Sequence, residues 1–454
     1  MWFIKIKIMK KFLTFLLLLL CVGSAYAQTH LEQYINTGLS NNETIRQQQF
    51  LLDKSLWALK EAKSLFLPNV EFNGTYTLAG GGRTVDIPVG DLMNPVYKTL
   101  NQLTGTNNFP QVQNQSVLLN PNNFYDVKLH TTYPIINAEI AYNKKIKNQQ
   151  YDLQKIETDI YKRELVKEIK VAYYNYLQAT TAIGIYENAL ALVKENERIN
   201  TSLFNNQKVN RTAVVRSNNE VTKITAQLNT AKINRDNARD FFNFLINQPL
   251  NTPILIDSLT SIPNPHVADD TAVNKREELL KLNTAAAINK NLIGLANSYK
   301  IPKLNSFLDL GSQAFDFKVN DKSPYYFFGI SLGWDIFSGG KNKYKVKQVE
   351  ADAKVIASQT SNTEQQLRLQ VSMAANSFNT ALINYNAAVS QVASSEKYYN
   401  DELRLYKEGI ALYIELLDAQ NQLVSAQLQA NISLYDTFVK QAEIERANAS
   451  FIIQ

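Results

Sequence analysis

The sequence predicts a membrane α/β protein in which four short amphipathic strands per chain join helices far too long for a globular domain, the whole plan being written twice. Three observations carry this reading. In residues 325–345, Tyr326, Phe328, Ile330, Leu332, Trp334 and Ile336 are apolar at every second position, while Gly329, Ser331, Gly333 and Asp335 between them are small or polar. Leu367, Val371, Ala374, Phe378, Ala381, Tyr385, Ala388 and Val392 keep a strict 4-3 spacing, the seam of a coiled coil. That seam recurs at a constant offset as Leu165, Ile169, Ala172, Tyr176, Ala179, Ile183, Tyr186 and Leu190.

Taken in order, residues 1–27 read as a signal peptide. Lys10 and Lys11 precede the apolar run 12–20, and Ala25-Tyr26-Ala27 places small residues where cleavage requires them. Met9 is the natural start and Gln28 the mature N-terminus. A retained membrane anchor is the alternative, but the run falls short of the roughly 18 apolar residues a span needs. A lipid attached at Cys21 is a second alternative, against which bulky Leu20 argues. Cys21 is the only cysteine, so the mature chain has no disulfide scaffold and no thiol chemistry. The formal charge is +6, and removing Lys5, Lys7, Lys10 and Lys11 with the leader leaves +2, which is no nucleic-acid footprint. No later stretch is apolar for long enough to be a transmembrane helix, so entry into a membrane requires a closed β-barrel.

Residues 28–67 read as helix, with Leu31, Ile35, Leu39, Leu59 and Phe66 on its apolar face and Pro68 as its stop. Residues 68–137 hold strands 1 and 2, separated by a long polar loop at 84–122 that is rich in Asn, Gln and Pro. In the first strand Val70, Phe72 and Tyr76 alternate with Glu71, Asn73 and Thr75; in the second Tyr125, Val127, Leu129, Thr131 and Tyr133 alternate with Asp126, Lys128, His130 and Thr132. A long coiled-coil helix pair fills 138–250, and 251–268 is a broken, proline-containing connector. Residues 269–301 are helical, 302–338 hold strands 3 and 4, and 339–454 hold the second long helix pair and the C-terminus. The first helix of each long pair is on the order of 60 residues, or about 90 to 100 Å at about 1.5 Å per residue. Their partners are about half as long, so the helices at 28–67 and 269–301 are expected to stack on their ends, with the connector at that junction.

Four strands with one apolar face cannot close a barrel alone, because membrane barrels start at about eight strands. Unpaired edges are not tolerated in lipid, so the sequence calls for an oligomer, and a homotrimer supplies a 12-stranded β-barrel.

The order and spacing of these features resemble the TolC-like outer-membrane efflux proteins, the outer membrane factor family. The resemblance spans the mature chain. It rests on the duplicated plan, on Phe66-Leu67-Pro68 before the first strand, on Trp334-Asp335-Ile336-Phe337 with Gly339-Gly340 after the last, and on Tyr406-x-x-Gly409 at the second helix turn. It implies a 12-stranded barrel in the outer membrane of a Gram-negative bacterium, continuous with an α-helical tunnel through the periplasm. It further implies an exit duct for a tripartite efflux or type I secretion system, docked to a periplasmic adaptor (a membrane fusion protein) and an inner-membrane pump of the RND, ABC or MFS type.

The helix turns near 201–213 and 406–413 then form the periplasmic end, with Gln207, Lys208, Gly409 and Ile410 as the adaptor-docking tip. Family members latch this end with a tyrosine, a threonine, an arginine and an aspartate. Tyr406 and Thr212 match the first two, but the arginine and aspartate positions hold Ala411 and Ala213. Arg211 is the candidate substitute, reaching toward Glu415 or Glu408. Glu415 and Asp418 match the family's two ring carboxylates. Read without the family, acids at i and i+3 share one helix face, and threefold repetition gathers six around an axis, a ring that attracts cations. The alternative for both is stabilisation of the positive end of their helix.

Tyr133, Tyr326 and Trp334 are candidate membrane-interface aromatics, with ordinary sheet core as the alternative. His30, His130 and His266 are scattered and lack a paired acid, so no catalytic, cofactor or metal site is expected, and no constellation supports an enzyme. The competing class is a periplasmic coiled-coil adaptor or scaffold, which one helical hairpin flanked by halves of a lipoyl-like domain would suit better than two hairpins interrupted by amphipathic strands.

Overall fold

The alternating segments form strands and the seam-bearing segments form helices in the computed structural model, which describes residues 30–257, 262–264 and 270–452. The signal-peptide reading of 1–27, part of the connector and His266 lie outside the described residues. In chain order the elements are α1 (His30–Asn41), α2 (Glu43–Ser64), β1 (Asn69–Thr77), β2 (Thr84–Ile87), α3 (Val89–Thr104), β3 (Gln115–Leu118) and β4 (Phe124–Ile136). There follow α4 (Ala138–Asn205), α5 (Arg211–Leu245), α6 (Glu277–Asn297), β5 (Lys303–Phe315), β6 (Pro324–Gly333), α7 (Lys341–Lys407) and α8 (Tyr413–Ala447). The chain divides into a strand unit, Ser55–Gln150 with Ala287–Lys354, and a helical unit made of the remainder.

In the strand unit the four long strands form one antiparallel sheet in the order β1-β4-β5-β6. Its register sorts the side chains by solvent. Phe72, Leu129, Leu310 and Tyr326 form one row across the four strands, and the adjacent row, Glu71, His130, Asp309 and Phe327, faces the other way. The apolar face is bare, with Phe72 72% and Tyr326 75% exposed. The other face, which carries Phe327 at the β6 edge, is largely polar and internally bonded: Lys128 pairs with Asp309 at 3.4 Å, and the Tyr325 hydroxyl donates to Asp126 at 2.6 Å. His130 also meets Asp309, so the expectation that no acid lies beside the histidines is corrected at this position. Gly329 is small for a reason of packing, since a Cβ there would lie 2.5 Å from the Phe307 ring.

Two readings of this unit need correction. The alternation in residues 325–345 runs on through Trp334 and Ile336, but β6 ends at Gly333 because its last partner is Lys303, the first residue of β5, and Pro302 before it offers no N–H. The loop at 84–122 is also more than a loop. It holds the ribbon β2–β3 and the 16-residue helix α3, which carries Pro95 in its interior.

In the helical unit the predicted seams are buried. Leu165, Ile169, Ala172 and Tyr176 of α4 pack with Ile35, Phe242 and Ile246, and Leu367, Val371, Phe378 and Ala381 of α7 are buried likewise. Full burial of each large side chain stabilises by about 1.5–3 kcal/mol. Helix α1 lies so close to α4 that a Cβ on Gly38 would sit 2.4 Å from Ile169 Cδ1. The helix read across 28–67 is broken at Asn42, whose Oδ1 accepts from Thr44 N and Ile45 N at 2.9 and 3.2 Å and caps α2.

The half-length helices are met at their ends as their sizes require. Asn42 Nδ2 donates to Leu245 O at the end of α5, and Arg276, just before α6, donates to Ala447 O at the end of α8. The connector returns to the start of the chain, where the Asp257 carboxylate accepts from His30 N and Leu31 N at 3.0 and 2.9 Å.

Candidate functional site

The two helix turns are built alike. In the first, Lys208 N donates to Leu203 O at 2.8 Å around Gln207 at φ 54°; in the second, Ile410 N donates to Leu405 O at 2.9 Å around Gly409 at φ 78°. Each is a helix C-terminus closed by a left-handed residue. The starts of the following helices differ. Asn210 caps α5 with its side chain, accepting from Ala213 N at 3.2 Å. Leu412 has no side-chain acceptor, and its own N–H is instead bound by the Glu415 carboxylate at 2.7 Å.

Between the turns lies a cleft of about 840 Å³ whose lining includes Lys208, Thr212, Tyr406, Gly409 and Ala411. Beneath it is an apolar cluster of Ile199, Ala213, Tyr399, Tyr406, Tyr413 and Leu416, with Ala411 packed against it. The two alanines that stand where the resemblance implies an ion pair are therefore part of, or packed against, an apolar cluster. Tyr406 is buried, donates its hydroxyl to Asn200 Oδ1 and lies tilted against Tyr413 with ring centroids 5.7 Å apart. Burial, and after it the negative charge of Glu220, pushes the Tyr413 hydroxyl up to about 12. One turn along, Asn196 Nδ2 donates to Gln420 Oε1 at 2.7 Å, a second buried polar pair, which links α4 to α8 where the first links α4 to α7.

Glu415 and Asp418 do not line the cleft. Both are exposed on one face of α8, as their spacing predicts, and Asp418 accepts from Gln422 Nε2 at 2.6 Å. Tyr398 of α7 faces the same patch: partial burial, then the charges of Glu402, Asp418 and Glu415, raise its hydroxyl pKa. Arg211 and Thr212 are exposed at the start of α5, and within the chain Arg211 makes no ion pair with Glu408 or Glu415. Gln207 and Ile410 are exposed beside the cleft without lining it.

At the sheet, Tyr133 and Tyr326 stand exposed on the apolar face, and Trp334 is exposed just past the end of β6. Sequence reasoning missed the aromatic stack at the other end. Phe317, at φ 51°, sits between Tyr76 and Tyr125 at ring distances of 5.2 and 5.6 Å. Its signal is non-local, because the turn after β5 has to fold back before Phe317 meets either tyrosine.

A second cluster was also missed. Arg163 is bidentate on Glu277 and donates to Phe451 O at 2.6 Å, Arg276 pairs with Glu278 at 2.9 Å, and Arg446 reaches both Glu164 and Glu278 at 3.0 and 2.7 Å. With the Arg276 bond to Ala447 O, three arginines and five carbonyl or carboxylate partners tie the C-terminal end of α8 to the start of α6 and to α4. Arg276 and Glu278 pair locally, but Arg163 and Arg446 reach Glu277, Glu164 and Glu278 only through folding.

A sheet with one bare apolar face, joined to paired coiled-coil helices, defines the class of outer-membrane channel folds. Among solved structures the outer-membrane channel OprN is similar, with TM-score 0.76 and 16% identity over 93% of this chain and 90% of that one. The CmeC outer membrane channel of Campylobacter jejuni matches with TM-score 0.74 and 16% identity over 92% of this chain and 85% of that one. The MtrE outer membrane channel of Neisseria gonorrhoeae, in its open state, matches with TM-score 0.71 and 17% identity over 92% and 88%. Residues 270–448 match the family model described as outer membrane efflux protein. A comparison with curated protein sequences finds no match.

Proposed function

We propose that this chain is one third of a passive outer-membrane exit duct, opened from the periplasmic side by an adaptor and an inner-membrane pump of a tripartite efflux or type I secretion system. One observation carries the reading: β1 and β6 are each paired on one side only, while the face they share with β4 and β5 is bare and apolar. In lipid every backbone polar group needs a partner, so the free edge of β1 has to meet the β6 of another copy. Two copies would give eight strands and three give twelve; the paired long helices favour three, as the resemblance implies, since they then surround a tunnel. Among the described residues no helix is long and apolar enough to cross a membrane, which leaves the strands to do so.

The turns form the closed end of the duct. In place of an ionic latch, closure rests on the apolar plug around Ala213, Ala411 and Tyr413 and on the Tyr406–Asn200 hydrogen bond. Glu415 and Asp418, exposed together, supply the carboxylate ring, and the cleft between the turns receives the adaptor. The duct is tested by detergent extraction and electrophoresis with and without heating. Extraction only by detergent, with a slow band that collapses on boiling, is expected; release by osmotic shock as a single-copy species would overturn the proposal.

A further inference from the structure

Helix α3 leaves one face bare. Val89, Leu92, Val96, Thr99 and Leu103 follow 3-4-3-4 spacing, the a and d positions of two heptads. Three of them, Leu92, Val96 and Leu103, are 68%, 50% and 79% exposed. The opposite face is fully engaged by the returning chain. Asn94 and Asn101, one heptad apart, each grip a backbone residue twice. Asn94 Nδ2 donates to Val112 O at 3.0 Å and its Oδ1 accepts from Val112 N at 2.8 Å. Asn101 Nδ2 donates to Phe109 O at 2.9 Å and its Oδ1 accepts from Phe109 N at 3.1 Å. Asn114 closes the N-terminal end, accepting from Asp91 N at 3.1 Å and donating to Asp91 Oδ2 at 2.9 Å, and Tyr97 packs on Phe109. The insert between β1 and β4 is thus a built element whose apolar seam points away from its own support.

We propose that this seam is covered by the same seam of neighbouring copies, so that the α3 helices meet at the end of the sheet where the insert emerges. The inference rests on the three-copy reading above. A helix that lies on lipid carries an apolar face rimmed by Lys and Arg, whereas this helix holds one lysine, Lys98, and one acid, Asp91. Two heptads are too short to associate on their own. Here the helices are tethered, because β1, an edge strand at which copies would meet, leads into the insert within a few residues. Tethering raises the effective concentration to about the millimolar range, where a short seam suffices. Thr99 at one d position keeps the contact weak enough to part.

The test uses the full chain carrying Leu103→Cys on the seam or Lys98→Cys off it, extracted in detergent, oxidised mildly and run unheated and then boiled. Cys21 is common to both variants and cancels. The proposal expects several-fold more interchain disulfide in L103C than in K98C, with both running as trimers before heating. Intact trimers with no excess in L103C would overturn it. So would labelling of L103C by a lipid-confined thiol reagent, which would assign the seam to the membrane. Single-copy migration before heating would overturn the trimer itself, and the unheated lane reports that separately.

Discussion

Glu278 shows how one residue can hold an element in place. Burial works to raise its pKa, but hydrogen bonds from Arg276 and Arg446, and the charges behind them, bring it down to about 2 from an ordinary value of 4.5. A carboxyl whose pKa is depressed by folding adds stability that is complete above its unfolded value and is lost as pH falls through the folded one. Glu164, held by Lys167 and Arg446 against its own burial, shifts the same way. The midpoint of denaturant unfolding is therefore expected to fall between about pH 4.5 and 2, and the Glu278→Gln variant should lose much of that dependence. Removing Arg446 by R446M should cost about 3 kcal/mol, because two partly buried carboxylates lose their partner. Chemical denaturation of the purified protein measures both.

Glu415 is the residue at which two roles meet. Its carboxylate binds Leu412 N and caps α8, yet it is exposed beside Asp418. The variants separate the roles. Glu415→Gln keeps an acceptor for the cap and removes the charge, so stability should hold while block of single-channel current by multivalent cations weakens. Glu415→Ala should lose both, with about 1 kcal/mol from the cap. Cation block unchanged in E415Q would show that the acid serves the helix start alone.

At the scale of elements, the duplicated turns differ where the chain needs a left-handed residue. Gly409 takes φ 78° freely, but Gln207 takes φ 54° with a side chain that disfavours it. Gln207→Gly is expected to stabilise the first turn by about 1 kcal/mol, seen as slower amide exchange at the end of α4; faster exchange would contradict it. Strands and seams were legible because one chemical contrast sets each: Phe72 against Glu71 across a sheet, and Leu165 to Ile169 to Ala172 along a helix. Helix α3 was hidden by Pro88, Pro95 and a density of Asn that reads as loop, although the 3-4 spacing from Val89 to Leu103 was present. The break at Asn42 was hidden because α1 and α2 share one apolar face across it. At the candidate site, the shared helix face of Glu415 and Asp418 was legible from their spacing. The apolar cluster around the two alanines was not, since burial of Ala213 depends on Tyr399 and Tyr413 arriving from a distant part of the chain.

At the scale of the whole molecule, the single chain is incomplete in two complementary ways. Its sheet has free backbone on β1 and β6, and its apolar face has nothing to cover it. Lipid covers the face but cannot satisfy the edges, and other copies satisfy the edges while leaving the face to lipid. The proposed closed ring in a membrane would meet both needs. In that ring the row of Glu71, His130 and Asp309 would line the water-filled side, with Lys128 neutralising part of its charge. The native mass of the detergent-extracted, unheated protein tests this most directly. Three chains per particle is the mass that follows from closing four strands into twelve; a single chain, or a particle that forms without detergent, would contradict it.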